Sequence, residues 1–385
     1  MKSEMLEKME GYQEVIQEIH ADRKYGADFL DEKGAVKNYI NRIHPGRIDL
    51  KVTDIFDETR TTKTLRFSAI DGYLPPFQAG QYISLFTSIG NIKTARPYSI
   101  SSSPTERGYW DITVRAVENG LVSNYLLNDI RAGDNFVSSG PQGQFCHNPL
   151  FHDNHLVFLA GGSGITPFLS MIREVSRKGI NRTIVLLYGS RTTDEAICHE
   201  ELNTLAKKSP SIKYFPVIEQ PEDTFDGLTG FITADVISEA TGGIDGKTFY
   251  ICGPQAMYDF CVQQLESLNV PKRKIRREMY GVPVNIWETD GWPEDVDRDN
   301  EVTISINGEK IATSKSSETL ISVLEKTGHI IPSICRCGEC SMCRVKLLNG
   351  KVYQPPGSLV RKSDRQFGFI HACASYPLTD VDICP

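Results

Sequence analysis

The first part of the chain shows a helical pattern of apolar residues. Between Met5 and Ile19, apolar side chains recur at alternating steps of four and three, with Glu and Lys between them, which predicts an amphipathic helix. A second short pattern, Val36 with Ile40 and Ile43, stops before a proline. We therefore predict a helical extension over residues 1–46, which packs on the main body, forms a dimer or docks a partner protein.

From residue 47 the pattern changes to short alternating strands separated by Gly and Pro turns. Six such runs predict an antiparallel β-barrel over residues 47–150: LKVTDIF, TLRFSAI, QYISLFT, RPYSISS, DITVRAV and NFVSSGP. After His155, buried strands alternate with helices, in the units that open with LVFLAGG, TIVLLYGS and KTFYICGP. This alternation predicts an α/β domain with a parallel, doubly wound sheet over residues 151–281.

The remaining chain is divided by a stretch without a sustained period. Residues 282–300 are rich in Gly, Pro and acidic side chains, which indicates a linker. Residues 301–385 then open with the strand VTISING, continue through a helical patch at 320–324 and reach a cysteine-rich loop. The predicted architecture is therefore multidomain, with a helical extension, a barrel, a doubly wound domain and a small C-terminal domain.

Composition excludes several classes of function. The formal net charge of −7 provides no general basic field for nucleic acid. No run of about 18 apolar residues is present, so we expect no membrane span, and the charged N-terminus does not resemble a signal peptide. Ten cysteines without a secretion signal indicate reduced thiols and a cytoplasmic protein.

Four cysteines have the spacing of a metal cluster. Cys335, Cys340 and Cys343 form C-x4-C-x2-C and Cys373 follows thirty residues later, whereas a zinc site would prefer paired C-x2-C knuckles. Cys337 lies in the same loop but does not fit the spacing, and we predict that it is not a ligand. Residues 302–383 resemble plant-type ferredoxins along their whole length. That resemblance implies a β-grasp fold, a 2Fe-2S cluster near the surface and electron transfer to a partner.

A second set of residues suits a flavin. The run Arg96 to Ser99 offers a guanidinium for phosphate, a planar ring for stacking and a hydroxyl for flavin N5, and GLVSNYL provides a turn into a helix that can bind pyrophosphate. Residues 48–280 resemble the ferredoxin–NADP reductase superfamily. The resemblance implies FAD rather than FMN, with Arg96 on the phosphate, Tyr98 against the ring and Ser99 near N5. The candidate flavin residues are Arg96, Pro97, Tyr98, Ser99, Gly120, Val122 and Ser123.

A third set suits a nicotinamide dinucleotide. LVFLAGGSGITP places glycines between a buried strand and a helix, where a pyrophosphate can bind the helix N-terminus. The superfamily resemblance implies that Cys252 lies beside nicotinamide C4 and that Glu278 faces the site of hydride transfer. Residues after TIVLLYG leave the choice between NADH and NADPH open. The candidate residues are Gly161, Gly162, Gly164, Thr166, Ser190, Arg191, Cys252, Gly253 and Pro254.

The domain order resembles reductases of the phthalate dioxygenase type and the reductase of the hybrid-cluster protein. It implies hydride transfer from NAD(P)H to FAD, followed by single-electron transfer through the cluster to an oxygenase, a hybrid-cluster protein or another reductase component. Two other interpretations stay open. One is the electron-transfer subunit of an obligate complex, although in such complexes the fourth cysteine follows more closely than Cys373 does. The other is a redox sensor without turnover.

Overall fold

The computed structural model describes residues 11–17, 19–20, 38–41, 43, 45–283 and 285–385. They form two compact units, residues 1–46 and 47–385. In the first unit, residues 12–17 and 38–41 are helical, as predicted, whereas Met5, Met9 and Val36 of the predicted pattern lie outside the described residues. Throughout the described part of the chain, every helix is too short or too polar to cross a bilayer.

The second unit begins with the predicted antiparallel barrel. Its sheet has the strand order β4-β3-β6-β1-β2-β5, and a bridge between Ile100 and Ile112 joins the two edges. Alternate residues of β1, such as Leu50 and Val52, are fully buried in the barrel, because successive side chains of a strand point to opposite faces. The elements are β1 Ile48–Thr59, β2 Thr62–Ala69, β3 Tyr82–Ile89, β4 Ile92–Ser99, β5 Trp110–Arg115, α1 Leu121–Asn128 and β6 Asn135–Ser138.

The doubly wound domain follows, with a sheet of order β10-β9-β8-β7-β11-β12 in which every pairing is parallel. From β7 the chain adds β8, β9 and β10 on one side, and then returns to add β11 and β12 on the other side. The order of strands therefore reverses between β7 and β11, and the carboxyl ends of strands at such a point form the edge at which α/β sheets bind ligands. The elements are β7 His155–Gly161, α2 Thr166–Lys178, β8 Thr183–Ser190, α3 His199–Lys208, β9 Ile212–Ile218, β10 Leu228–Thr229, α4 Ala234–Thr241, β11 Lys247–Cys252, α5 Gln255–Ser267 and β12 Ile275–Glu278.

The C-terminal domain has a mixed sheet of order β14-β13-β19-β15-β17, against which α6 buries its apolar side chains. The elements are β13 Glu301–Ile306, β14 Glu309–Lys315, α6 Leu320–Lys326, β15 Arg344–Asn349, β16 Val352–Tyr353, α7 Lys362–Gln366, β17 Phe369–His371, β18 Tyr376–Pro377 and β19 Val381–Cys384. The cysteine loop lies between α6 and β15.

The predicted linker is more ordered than its composition indicated. Its described part contains no strand and only a short 3₁₀ turn, Ile286–Glu288. Even so, Ile286 is fully buried, and the Trp292 ring packs edge-on against Tyr353 with centroids 5.3 Å apart. The Tyr353 hydroxyl also donates to the Asp290 carbonyl at 2.7 Å. The segment therefore packs as part of the C-terminal domain.

A buried polar cluster joins the barrel to the C-terminal domain. The Thr94 hydroxyl of β4 donates to Glu325 of α6 at 3.0 Å, and Arg336 of the cysteine loop donates to the same carboxylate at 3.1 Å. Arg96 donates to the Thr94 hydroxyl at 2.5 Å, with its guanidinium 3.9 Å from Glu325. Nearby, the Ser84 hydroxyl donates to the Ile334 carbonyl at 3.1 Å. These bonds fix the cysteine loop against the barrel.

Replacement of Glu325 by Gln tests this cluster. The change leaves the buried Arg336 without its carboxylate, and removing one partner of a buried ion pair costs about 3–5 kcal/mol. We expect calorimetry to show a lower unfolding temperature for E325Q. The control is E318Q, which removes a partly exposed carboxylate paired with Lys326 and should cost less than about 1 kcal/mol. Equal unfolding temperatures for the two variants would contradict the assignment.

Candidate functional site

A cavity of about 390 Å³, here the Tyr98 cavity, lies where the barrel, the doubly wound domain and the C-terminal domain meet. The structure brings one group of predicted residues together around it. Those that line it are Arg96, Pro97, Tyr98, Ser99, Gly120, Val122, Ser123 and Thr166. Thr166, predicted on the nicotinamide side, therefore shares a cavity with all of the predicted flavin residues.

Local backbone requirements explain two sides of this cavity. Strand β4 is an edge strand of the sheet, a position that tolerates Pro97, which has no N–H to donate. Helix α1 begins after Gly120 without a side-chain cap, so the N–H groups of its first turn remain available to an anion. A Cβ atom at Gly120 would lie 2.4 Å from the Ser123 hydroxyl, so only glycine permits this close approach.

The electrostatics at β4 favour a bound anion. Burial and the nearby Arg336 lower the pKa of Arg96 to about 10, so its guanidinium stays charged at neutral pH. The hydrogen bonds of this side chain in the described structure involve one terminal nitrogen, Nη1, which donates to the Thr94 hydroxyl and to the Ala95 carbonyl. Other donors of the guanidinium fork are therefore available to a phosphate.

Tyr280, a residue outside the predicted set, covers the Tyr98 cavity. Its hydroxyl is 2.8 Å from the Ser99 hydroxyl and 3.1 Å from the Thr166 hydroxyl, and it also interacts with the Cys252 thiol. Tyr280 thereby links the barrel to the doubly wound domain. Its position two residues after Glu278, in a Glu-x-aromatic sequence, was the signal that could have identified it.

Cys252 and Glu278 lie side by side at the ends of two paired strands. Cys252 ends β11 and Glu278 ends β12, and the two residues are partners in the parallel register. Burial raises the pKa of the Cys252 thiol well above its ordinary value, so the thiol is neutral. Burial raises the pKa of Glu278 to about 8, and the nearby Glu339 contributes to the shift. The Glu278 Oε2 atom is buried without a hydrogen-bond partner in the described structure.

A second cavity of about 650 Å³, here the Ser190 cavity, opens at the carboxyl edge of the parallel sheet. The predicted residues Gly161, Gly162, Ser190, Arg191 and Pro254 line it, whereas Gly164, Cys252 and Gly253 do not. The structure gives Gly164 a packing role, since a Cβ atom there would lie 2.1 Å from the Cys252 carbonyl oxygen. The glycine turn therefore brings the start of α2 against the end of β11.

Charged side chains from two domains surround the Ser190 cavity. Glu195 pairs with Arg115 of the barrel at 2.8 Å and with Arg191 at 3.0 Å. Arg60 of the barrel and Glu219, which follows β9, also line it. The sequence pattern did not identify Arg60 or Arg115, because both belong to the barrel and approach only in the folded chain.

The predicted cluster cysteines converge. The Cys335 thiol interacts with the thiols of Cys340 and Cys373, and Cys343 interacts with Cys373. The backbone N–H groups of Glu339 and Cys340 each donate to the Cys335 sulfur at 3.3 Å. Cys337 is also buried in the loop and interacts with Cys335. A loop that surrounds sulfur with amide donors fits a bound thiolate.

This arrangement differs from that of a single metal ion. Among the described residues, no three His, Cys, Asp or Glu side chains form a group that could hold one ion. A 2Fe-2S cluster instead needs only two thiolates for each iron, with the two pairs set apart. The donor set of Cys335, Cys340, Cys343 and Cys373 thus fits the binuclear group.

The cluster site and the Tyr98 cavity share a wall. Cys373 and Arg336 line the cavity, together with residues at the start of α6, Thr319, Ile321 and Ser322. Tyr98 and Ser99 line the same cavity from the barrel. The α6 residues were not predicted, because no local pattern marks them and only domain packing brings them there. A ring bound beside Tyr98 would therefore lie next to Cys373, one of the predicted cluster cysteines.

Comparison with known protein families agrees with these three sites. The oxidoreductase FAD-binding domain family matches residues 49–147, the oxidoreductase NAD-binding domain family matches 158–263, and the 2Fe-2S iron-sulfur cluster binding domain family matches 304–378. FAD, a nicotinamide cofactor and a 2Fe-2S cluster are therefore the cofactors of this chain.

Two known relatives match the chain over different lengths. The ferredoxin reductase component of 3-ketosteroid-9-alpha-monooxygenase from Rhodococcus rhodochrous is 28% identical over 340 residues, 86% of this chain and 94% of the relative. NADH-cytochrome b5 reductase 1 of Dictyostelium discoideum is 32% identical over 198 residues, 51% of this chain and 68% of the relative.

The fold of a solved reductase matches nearly the full length. Phthalate dioxygenase reductase superimposes with a TM-score of 0.66 at 23% identity, covering 88% of this chain and 98% of the other. The predicted fold classes and cofactors are confirmed. The chain belongs to the ferredoxin–NADP reductase superfamily of flavoproteins, in the group with a C-terminal plant-type 2Fe-2S ferredoxin domain, and is an NAD(P)H-dependent electron-transfer reductase.

Proposed function

We propose that this reductase serves an oxygenase component, with FAD in the Tyr98 cavity, the nicotinamide dinucleotide in the Ser190 cavity and the cluster on Cys335, Cys340, Cys343 and Cys373. When bound, the flavin accepts a hydride and supplies electrons singly. The proposed domains are residues 47–150, 151–281 and 301–385, each of which contains one matched family. A chain whose cluster ligands must stay reduced belongs in the cytoplasm.

The observation that carries this proposal is that Cys373 lines the same cavity as Tyr98. A path from a ring beside Tyr98 to the cluster then crosses no further protein layer. The name of the Rhodococcus relative, a component of a monooxygenase system, supports an oxygenase as the acceptor. The protein contributes positioning, so an acid–base triad is not required.

The residues around the flavin position have separate roles in this proposal. The Arg96 guanidinium and the first turn of α1 bind the phosphates, while Tyr98 packs against the ring. The Ser99 hydroxyl donates toward the reacting edge. Tyr280, which bonds to Ser99 and Thr166, holds the barrel side of the cavity against the side formed by the doubly wound domain.

Cys252 and Glu278 line neither cavity, and Cys252 is connected to the Tyr98 cavity through its interaction with Tyr280. A neutral thiol and a carboxyl that is protonated below about pH 8 place no fixed charge next to Tyr280. The relative energies of the reacting rings are then left to the cofactors themselves.

Anaerobic titration with NADH and, separately, NADPH tests the electron path. We expect the flavin absorbance to bleach with the physiological donor and the low-temperature EPR spectrum to show a reduced 2Fe-2S cluster. In C340A the cluster signal should be lost, because one iron lacks a ligand. In the control C337A, which changes the neighbouring thiol of the same loop, the signal should persist. Bleaching without a cluster signal in fully loaded wild-type protein would refute the proposal.

The pH dependence of stability tests Glu278. A carboxyl whose pKa is about 8 in the folded protein, against about 4.5 unfolded, takes up a proton on folding between those values, so stability falls as pH rises through that range. At about 1.4 kcal/mol per pH unit, the loss from pH 6 to pH 8 approaches roughly 2 kcal/mol. In E278Q this loss should disappear, seen as a flatter plot of unfolding temperature against pH.

The matched control is E239Q, which changes an exposed glutamate of α4. It should retain the slope of the unmodified protein. If E278Q and E239Q gave the same slope, the buried-acid assignment of Glu278 would be wrong.

A further inference from the structure

One side of the cysteine loop faces the proposed flavin position, and another side faces solvent. Arg336 and Cys373 line the Tyr98 cavity, whereas Met342 does not line it and is 48% exposed. Met342 stands between two of the proposed ligands, Cys340 and Cys343. Cys340 is itself partly exposed, so one solvent side of the cluster site lies around Cys340 and Met342.

Apolar side chains extend the surface around Met342. The Leu359 N–H donates to the Gly338 carbonyl of the cluster loop at 3.0 Å, and the Leu359 side chain is 62% exposed. A Cβ atom on Gly338 would lie 3.2 Å from the Ser358 hydroxyl, which shows how closely this segment packs on the loop. Two large apolar side chains are thus held at the solvent side of the cluster site.

The same surface is strongly basic. Between residues 341 and 367 the chain has six Lys or Arg and one acid, Asp364, although the whole protein carries a net charge of −7. That acid is buried and pairs with Arg344 at 3.0 Å, which ties α7 to the start of β15 just after Cys343. We define the Met342 face as Met342, Arg344, Leu359, Arg361, Lys362 and Arg365, all of them exposed.

We infer that the Met342 face binds the acceptor through an acidic surface around the acceptor's own redox cofactor. The inference rests on the proposed electron path. Cationic side chains in an otherwise acidic protein orient an acidic partner during encounter, while Met342 and Leu359 provide the dry centre of the contact. One electron leaves the protein here for the acceptor's cofactor, and no bond is formed or broken.

Charge reversal at Arg361 and Lys362 tests this inference. The double variant R361E/K362E places acids at the start of α7, where they suit the helix dipole, so folding should be retained. The probes are cytochrome b5, an acidic haem protein, and cytochrome c, a basic one, each reduced anaerobically with the nicotinamide donor. At low ionic strength we expect about tenfold slower reduction of cytochrome b5 and faster reduction of cytochrome c.

The control K207E/K208E makes the same change in net charge at an exposed basic pair at the end of α3. It should alter both rates by less than about twofold, because the effect depends on position. The neutral variant R361Q/K362Q should lie between the wild type and the reversal. In every variant, salt should reduce the differences, and C340A should reduce neither cytochrome.

Flavin bleaching and the cluster EPR signal are recorded first, without a cytochrome. Failure at that stage refutes the electron path itself. If both signals are normal but R361E/K362E and K207E/K208E change cytochrome b5 reduction equally, or neither changes it, the electron path stands and the Met342 face is not the docking surface.

Discussion

The docking of the C-terminal domain on the barrel depends on one buried carboxylate, that of Glu325. It accepts hydrogen bonds from Thr94 of the barrel and from Arg336 of the cysteine loop, and all three side chains are buried. Arg336 belongs to the same domain as Glu325, and the cluster crosses to the barrel through Thr94, which bonds to both side chains. Because unpaired buried polar groups are costly, these bonds stabilise the buried interface. Because Thr94 also holds Arg96, docking fixes the strand that begins the flavin site.

The same contact holds the cysteine loop in a fixed position relative to the strand that carries Tyr98. Arg336 reaches Glu325 with one end, and its backbone belongs to the loop that surrounds the cluster. Strand β4 continues from Thr94 through Tyr98 to Ser99. In the proposed arrangement, the distance between flavin and cluster would be set by rigid elements, a strand on one side and a short loop on the other. Because the two domains are packed together in one chain, their redox sites do not have to meet by diffusion, as those of two separate proteins would.

Residue patterns revealed the parts of this molecule whose chemistry is local. The C-x4-C-x2-C loop, the β4 run and the glycine turn after β7 each lie on a few consecutive residues, and the structure brings each to a cavity or a thiol group. Strands β9 and β12 were absent from the predicted set. β9 contains Pro216 and Lys213, and β12 reads IRRE, so neither has the apolar pattern of a buried strand.

Contacts between domains were inaccessible to such patterns. Thr319 and Arg336 enter the Tyr98 cavity from two separate places in the C-terminal domain. Their roles depend on how the domains pack, and a pattern within a short stretch of sequence does not reveal such packing. The segment before β13 is a similar case, since its composition is that of a linker while its Ile286 and Trp292 form a small core with Tyr353.

This packed segment forms part of the passage between the doubly wound domain and the C-terminal domain. Trp292 is fixed on the C-terminal domain, and Gly281, at the start of the passage, lines the Tyr98 cavity. With the flavin bound in that cavity as proposed, the packed segment would restrict the access of dioxygen to the reduced flavin. Tight packing here would then limit the formation of peroxide.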